Sequence, residues 1–185
     1  YYHFCQTCSS PIMISSSYYD KAIRLMSSLV DTPINACKHS NTWIIRKPKW
    51  ANLVQSDYNF IAGPNSTHLT NMAKSELAIM ELPFKGKCLC GRVNWQANSK
   101  PLIEIECHCN NCQKSSGSPT GASLFFPLKE CSWTGELAIY DDFDTQSGEV
   151  LKRCSCKTCR SFVFSLSDKF LGLKPGNLMN RHQYS

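Results

Sequence analysis

From Lys85 onward the apolar positions come in short bursts with no long helical period. The bursts are RVNWQA, LIEIEC, ASLFFPL, ELAIY, EVLKRC and SFVFSLS, separated by Gly, Pro, Asn, Asp and Ser. Several alternate apolar and polar residues, as a strand with one buried face does, so the pattern predicts a mainly β domain of short strands. The best helical period is TNMAKSELAIMEL, residues 70–82, where Thr70 or Asn71 would cap and Met72, Leu77 and Met80 would face a core. The polar stretch QSDYNFIAGPNSTH before it reads as a loop or linker.

The chain also repeats itself. YYHFCQTCSSPIMISS aligned with LKRCSCKTCRSFVFSLS superposes Cys5 on Cys156, Thr7 on Thr158 and Cys8 on Cys159, and each motif leads into an apolar β-like run. Similar apolar runs, RLMSSLVD and LGLKPGNLM, follow at nearly the same distance. The repeat predicts two related domains, the first represented by its C-terminal half alone.

Composition narrows the class. At 185 residues and 42% apolar content the chain can bury a real core. Its longest apolar runs are too short to cross a bilayer, and YYHFCQTC lacks the charged and apolar regions of a signal peptide, so a soluble protein is expected. The first residue is not Met, which suggests a processed chain or a piece of a longer one. The net charge of +6 is spread as seven Lys/Arg against five Asp/Glu up to residue 83 and thirteen against nine after it. The densest basic run, IIRKPKW with Arg46, Lys47 and Lys49 beside Trp50, reads as a solvated face, and nucleic acid is not an expected partner. The sequon at Asn65 is weak in a Ser/Thr-rich chain.

Cysteine changes the picture most. Ten of the twelve fall in tight groups: Cys5-x-x-Cys8, Cys88-x-Cys90, Cys107-x-Cys109-x-x-Cys112 and Cys154-x-Cys156-x-x-Cys159. Disulfides join separate segments, whereas such pairs point several sulfurs at one spot, and a C-x-x-C turn lets backbone N–H groups bond to them. Zinc is therefore the expected cofactor, and thiolates kept for zinc imply a reducing compartment, cytoplasm or nucleus. The division that respects spacing puts Cys88 and Cys90 with Cys156 and Cys159 in a closed four-thiolate site, stapling the domain's start to its end. Cys107, Cys109 and Cys112 then form a second site with one coordination position open, which suits water, hydroxide or an incoming thiolate. Lys87, Arg92, Lys114, Arg153, Lys157 and Arg160 sit beside these groups and would help keep the sulfurs ionised.

GKCLCGRVNW, CHCNNCQKSSGSPTGASLFF and RCSCKTCRSFVF, in that order, resemble the glutathione-dependent formaldehyde-activating enzyme family, which includes centromere protein V and has the Mss4-like (β-tent) fold. The resemblance implies structural zinc on Cys88, Cys90, Cys156 and Cys159, and catalytic zinc on Cys107, Cys109 and Cys112. Residues 1 to about 60 resemble the family's C-terminal portion, YHFCQTCSSPIMI matching its F-C-x-x-C stretch and NTWIIRKPKW its Trp-ending segment, with Asn41 where His is usual. The implied organisation is a C-terminal half domain over 1–62, a linker over 63–83, and a second zinc domain over 84–185 that stops short of the family's terminal segment. Ser155 stands where an aromatic is usual, Arg160 where Gly is usual, and Cys154 is additional.

Lesser candidates have plainer readings. His108, between two ligands, is expected to be a neighbour of the metal and not a ligand; Glu104 and Glu106 read as the polar face of a strand and not as a general base. Cys37, Cys131 and Cys154 are left unassigned, and Cys5 and Cys8 are candidate zinc ligands that lack two partners. The resemblance implies a zinc-dependent carbon-sulfur lyase that condenses glutathione, or another thiol, with formaldehyde to an S-hydroxymethyl thiol, with Lys114 and the Ser115–Ser118 backbone as contacts for the tripeptide's carboxylates. Its partners would then be a small-molecule thiol and an aldehyde. The alternative is a non-enzymatic zinc module that binds protein or nucleic acid, as the centromere protein branch suggests. A zinc deaminase is a poor third reading, since no H-x-E precedes a P-C-x-x-C.

Overall fold

The structure is a computed structural model that describes residues 1–17, 23–31, 40–44, 47, 56, 58–62, 66–67, 82–145 and 147–179. The helix expected over 70–82 lies outside these residues except for Leu82, as do Cys37, Arg46, Lys49, Trp50 and Asn65. Two compact units are present: residues 1–32 with 82–179, and residues 33–81 with 180–185.

The first unit begins with a meander of β1 (Tyr2–Phe4), β2 (Pro11–Ser15) and β3 (Ile23–Leu25). In the second unit, β4 (Ser40–Asn41) and β5 (Tyr58–Asn59) pair in parallel, and Asn41 Nδ2 donates to Asn59 Oδ1 at 2.8 Å.

The rest of the first unit is built from two antiparallel sheets and a short helix. One sheet has the order β10-β7-β6, from Cys131–Thr134, Asn94–Ala97 and Phe84–Lys87. The other has the order β11-β12-β13-β14-β9-β8, from Leu137–Asp142, Leu151–Cys156, Phe162–Leu166, Phe170–Leu173, Gly121–Pro127 and Ile103–Cys107. The mainly β expectation holds, and each of the six apolar bursts carries a strand. The sequence did not suggest β6, β10 or the helix. Strand β6 reads FKGK, with only Phe84 and Gly86 turned inward, and β10 exists because Cys131–Thr134 finds a partner in β7. Neither carries an apolar pattern of its own.

The core lies on β9, β13 and β14. Leu124, Phe126, Val163, Phe164, Leu171 and Leu173 are all buried, and Phe84, Val93 and Trp95 of the smaller sheet are buried with them. Aromatic pairs add to it: Phe84 meets Phe126 at 5.8 Å between ring centroids, and Trp133 meets Phe164 at 5.1 Å, both tilted. Each fully buried Leu, Val or Phe among them contributes about 1.5–3 kcal/mol.

The helix α1 spans Asn110–Ser116 and has no apolar period to announce it. Its ends are set by backbone chemistry: Cys109 stands at the N-cap, and Gly117, at φ 69°, closes the last turn by donating to Gln113 O at 2.8 Å. The N-terminal strands pack against it, because a Cβ on Gly117 would meet Pro11 at 2.6 Å and Met26 at 3.3 Å.

Candidate metal centres

The four-cysteine group is assembled from two tight turns. Strand β6 delivers Cys88, whose N–H bonds to Val93 O at 2.9 Å, while the Val93 N–H donates to Cys88 Sγ at 3.2 Å. The β12–β13 register shifts between Cys154 and Ser155, where β13 carries Val163 as the extra residue; Cys154 lies in the core and Cys156, also buried, leads into the turn. There Cys156 N–H bonds to Ser161 O at 3.0 Å and Arg160 N–H to Cys156 O at 2.9 Å. Arg160 holds φ 57°, a left-handed conformation that costs a non-glycine residue about 1 kcal/mol.

These turns bring Cys88, Cys90, Cys156 and Cys159 together with all four sulfurs within 4.8 Å of one another. Cys88 and Cys90 are 3.5 Å apart, Cys90 and Cys156 3.8 Å. A tetrahedral zinc with bonds of about 2.3 Å to sulfur requires edges of about 3.8 Å. The group could hold a zinc ion. Burial opposes ionisation of Cys159, but hydrogen bonds from the Ser161 hydroxyl and N–H and from the Cys90 backbone outweigh it and bring the thiol down to about 6. Burial pushes Cys156 up to about 11. Full ionisation of the group thus calls for a cation.

The three-cysteine group sits on the other cysteine segment. Cys107 ends β8, Cys109 caps α1 and Cys112 lies in its first turn; their sulfurs also lie within 4.8 Å of one another, with Cys107 and Cys109 at 3.4 Å. Gly121, paired with Cys107, lets β9 approach, since a Cβ there would come to 3.0 Å from Cys112 Cβ. Burial, and then the adjacent Cys107 and Cys109 sulfurs, push Cys112 up to about 12, so a third thiolate also needs a cation. Among the described residues no fourth His, Cys, Asp or Glu joins the three. This group, too, could hold a zinc ion.

A buried ion pair fixes α1 beneath the cluster. Arg153 Nη2 and Asp142 Oδ2 are 2.7 Å apart with side chains 7% and 5% exposed. Arg153 Nη1 donates to Ser115 Oγ at 3.1 Å, and Asn111 Nδ2 donates to Asp142 Oδ1 at 3.0 Å and to Asp144 O at 2.8 Å. Sequence reasoning missed Asp142 and Asn111, because a polar pair that meets only in three dimensions leaves no periodic trace.

Most of the cations beside the cysteine motifs face elsewhere. Lys157 pairs with Glu136 at 2.9 Å, Arg160 stands over the Phe4 ring at 5.7 Å, and Arg92 donates to Thr158 Oγ1 at 3.3 Å. Lys114 lines a cavity of about 180 Å³ with Cys8, Asn111 and Arg153, and Lys87 is exposed. His108 offers its carbonyl to Gln113 Nε2 at 2.8 Å, and its ring is not among the grouped donors. The Ser115 and Ser116 hydroxyls bond within the helix and its following loop, as do the Gly117 and Ser118 N–H groups. Glu104 and Glu106 lie on the edge strand β8, Glu106 accepting from Thr120 Oγ1 at 2.8 Å. Cys154 is fully buried and Cys131 half-buried, both raised by burial, to about 12 and about 11.

The cation that the sequence reading overlooked is Lys174. It follows β14, and burial lowers it to about 8 against the opposing pull of the Cys112, Cys107 and Cys109 sulfurs. A lysine inside the apolar run FLGLKPGNLM was the available signal. Cys5 and Cys8 sit in a turn of their own, and among the described residues no third donor joins them.

A family model described as glutathione-dependent formaldehyde-activating enzyme matches residues 83–184. A crystal structure of a Rhodobacter sphaeroides protein is similar at 20% identity and a TM-score of 0.42, covering 52% of this chain and 88% of that one. No curated protein matches the chain. No helix among the described residues is long and apolar enough to cross a membrane.

Proposed function

Because the chain belongs to the glutathione-dependent formaldehyde-activating enzyme family, we propose that it is a zinc-dependent carbon-sulfur lyase that joins a small thiol, glutathione or a relative, to formaldehyde. The observation that carries this reading is the three-cysteine cluster, which has three sulfurs in ligand reach and no fourth protein donor among the described residues. A zinc ion there would keep a position at which a thiol ionises or a carbonyl oxygen is polarised. Cys107, Cys109 and Cys112 would supply the catalytic site; Cys88, Cys90, Cys156 and Cys159 would supply a structural one, which a closed set of four thiolates suits.

The chemistry is short. The thiolate sulfur attacks the formaldehyde carbon, the carbonyl electron pair moves to oxygen, and that oxygen takes up a proton to give the S-hydroxymethyl thiol. The residues contribute mainly position: α1 holds Cys109 and Cys112, the Arg153–Asp142 pair holds α1, and Gly121 lets β9 close the cluster from the side. The eleven described cysteines are all free, which suits a reducing compartment, cytoplasm or nucleus.

The test is zinc content together with glutathione-dependent formaldehyde consumption by the purified protein. Two zinc ions per chain with turnover would support the reading. Two zinc ions without turnover, over a range of thiols and aldehydes, would replace it with a non-catalytic zinc module.

A further inference from the structure

We propose that Lys174 is a positioning residue that supplies the fixed counter-charge of the three-cysteine cluster, for its own thiolates and for the thiolate form of the thiol that joins them. The inference rests on the reading above only in its second half. Lys174 Nζ donates to Ser123 Oγ at 2.7 Å and toward Ala122 O at 3.4 Å, and stands 4.6 Å above the Phe162 ring. Ala122 and Ser123 directly follow Gly121, the residue that meets Cys112. The side chain therefore runs along β9 toward the cluster.

Among the described residues the ammonium has no carboxylate partner. The ion pairs among the described residues are Lys152–Asp141, Arg153–Asp142 and Lys157–Glu136, and Lys174 takes part in none. The charged and titratable groups that act on it are Cys112, Cys107 and Cys109, which favour its charge, and Arg153, which opposes it. Arg153 is itself spent on Asp142 and Ser115. A half-buried cation without a carboxylate costs some stability, and neutral hydrogen-bond acceptors repay only part of it. Three thiolates around a divalent ion carry a net charge of minus one, and a fourth thiolate makes it minus two. Placing a partly desolvated ammonium near that charge offsets both costs, and an opposite charge nearby favours an ionised group by about one to three pH units.

The experiment uses the full chain, loaded with cobalt in place of zinc so that thiolate-to-metal absorption reports each cluster. Wild type, Lys174→Met and Lys174→Arg are compared in chelator competition, then titrated with glutathione and with 2-mercaptoethanol, which has no carboxylate. Lys174→Met is expected to weaken cobalt at the three-cysteine cluster about tenfold, to leave the four-cysteine cluster unchanged, and to weaken both thiols similarly. Lys174→Arg should restore most of the loss. The melting temperature of Lys174→Met should stay level or rise, because a half-buried charge with no carboxylate partner has been removed. Unchanged cobalt affinity in Lys174→Met overturns the inference. So does a loss that follows a fall in melting temperature and that Arg does not rescue, since that marks a packing role. A wild type that binds cobalt at the cluster but shows no response to either thiol overturns the functional reading, and the chelator arm still decides Lys174. A loss confined to glutathione would make Lys174 a carboxylate contact and overturn the counter-charge.

Discussion

The turn of Cys5 and Cys8 and the turn of Cys156 and Cys159 share one local structure in two settings. Ser9 and Arg160 both take a left-handed backbone, at φ 61° and 57°. Cys5 N–H bonds to Ser10 O at 2.9 Å as Cys156 N–H bonds to Ser161 O at 3.0 Å, and Cys8 and Cys159 lie 3.2 and 3.3 Å from the Ser10 and Ser161 hydroxyls. Even the bulge recurs, between His3 and Phe4 and between Cys154 and Ser155. The surroundings differ. Strands β12 and β14 are interior to a six-stranded sheet, whereas β1 and β3 are the edges of a three-stranded one. Leu171 and Leu173 are 1% and 0% exposed, and their counterparts Ile23 and Leu25 are 58% and 57% exposed. Arg153, buried on Asp142, corresponds to Tyr2, which is exposed. Local sequence is therefore enough to form the turn, and a second cysteine pair from a distant segment is what makes of it a group that could hold a metal ion.

Removing one sulfur from the complete site should have the largest effect. Structural zinc contributes folding free energy of about 10 kcal/mol or more in small zinc domains. Cys156→Ser is therefore expected to lose that zinc and unfold the first unit, seen as loss of cooperative melting by circular dichroism. A folded, metal-replete variant would erase the distinction between the two turns.

The next effect concerns the support that the N-terminal turn lacks. Asp142→Ala leaves Arg153 buried without its carboxylate, which costs about 3–5 kcal/mol. A urea titration should show that loss, and Asn111 and Ser115 should lose their hold on α1. A change below about 1 kcal/mol would mean that Arg153 finds water instead.

Cys109→Ser should act more gently. It is expected to remove one zinc per chain and the thiol-dependent chemistry, and to move the melting temperature by less than about 4 °C, since the four-cysteine group still ties β6 to β12. Global unfolding would make the three-cysteine cluster structural as well.

Cys8→Ser is the smallest. With no third donor beside Cys5 and Cys8 among the described residues, it should leave zinc content unchanged and stability within about 0.5 kcal/mol. A loss of metal in this variant would show that the first turn has found its missing pair and would close the comparison.

Both cysteine groups were legible in the sequence because groups of sulfurs that gather at one spot show themselves in short spacings. C-x-C and C-x-x-C encode tight turns, and the structure brings together the same seven sulfurs that the spacing singled out. The β bursts were legible for a similar reason, as alternation is a local property of a strand with one buried face. Strands β6 and β10 were not, because FKGK and CSWT become strands only by pairing with β7. Helix α1 was hidden because six of its seven residues are polar and it is held by a left-handed Gly117 and an ion pair from other strands. The repeat was likewise visible in sequence as a cysteine motif, while its unequal burial was not.

The sequence by itself determined that sulfur would gather in groups of four and three, that short strands would carry them, and that one turn would occur twice. These properties reside in neighbouring residues, whose spacing acts before any long-range contact forms. Only the tertiary structure decided which charges face those sulfurs. Arg153, Lys157 and Arg160 lie next to the cysteines in sequence yet are engaged by Asp142, Glu136 and Phe4. Lys174, far along the chain from Cys112, lies along β9 with its ammonium on Ser123 Oγ, two residues from the Gly121 that meets Cys112. Electrostatic interaction depends on distance through space and on the removal of water, and neither is written in the order of residues along the chain.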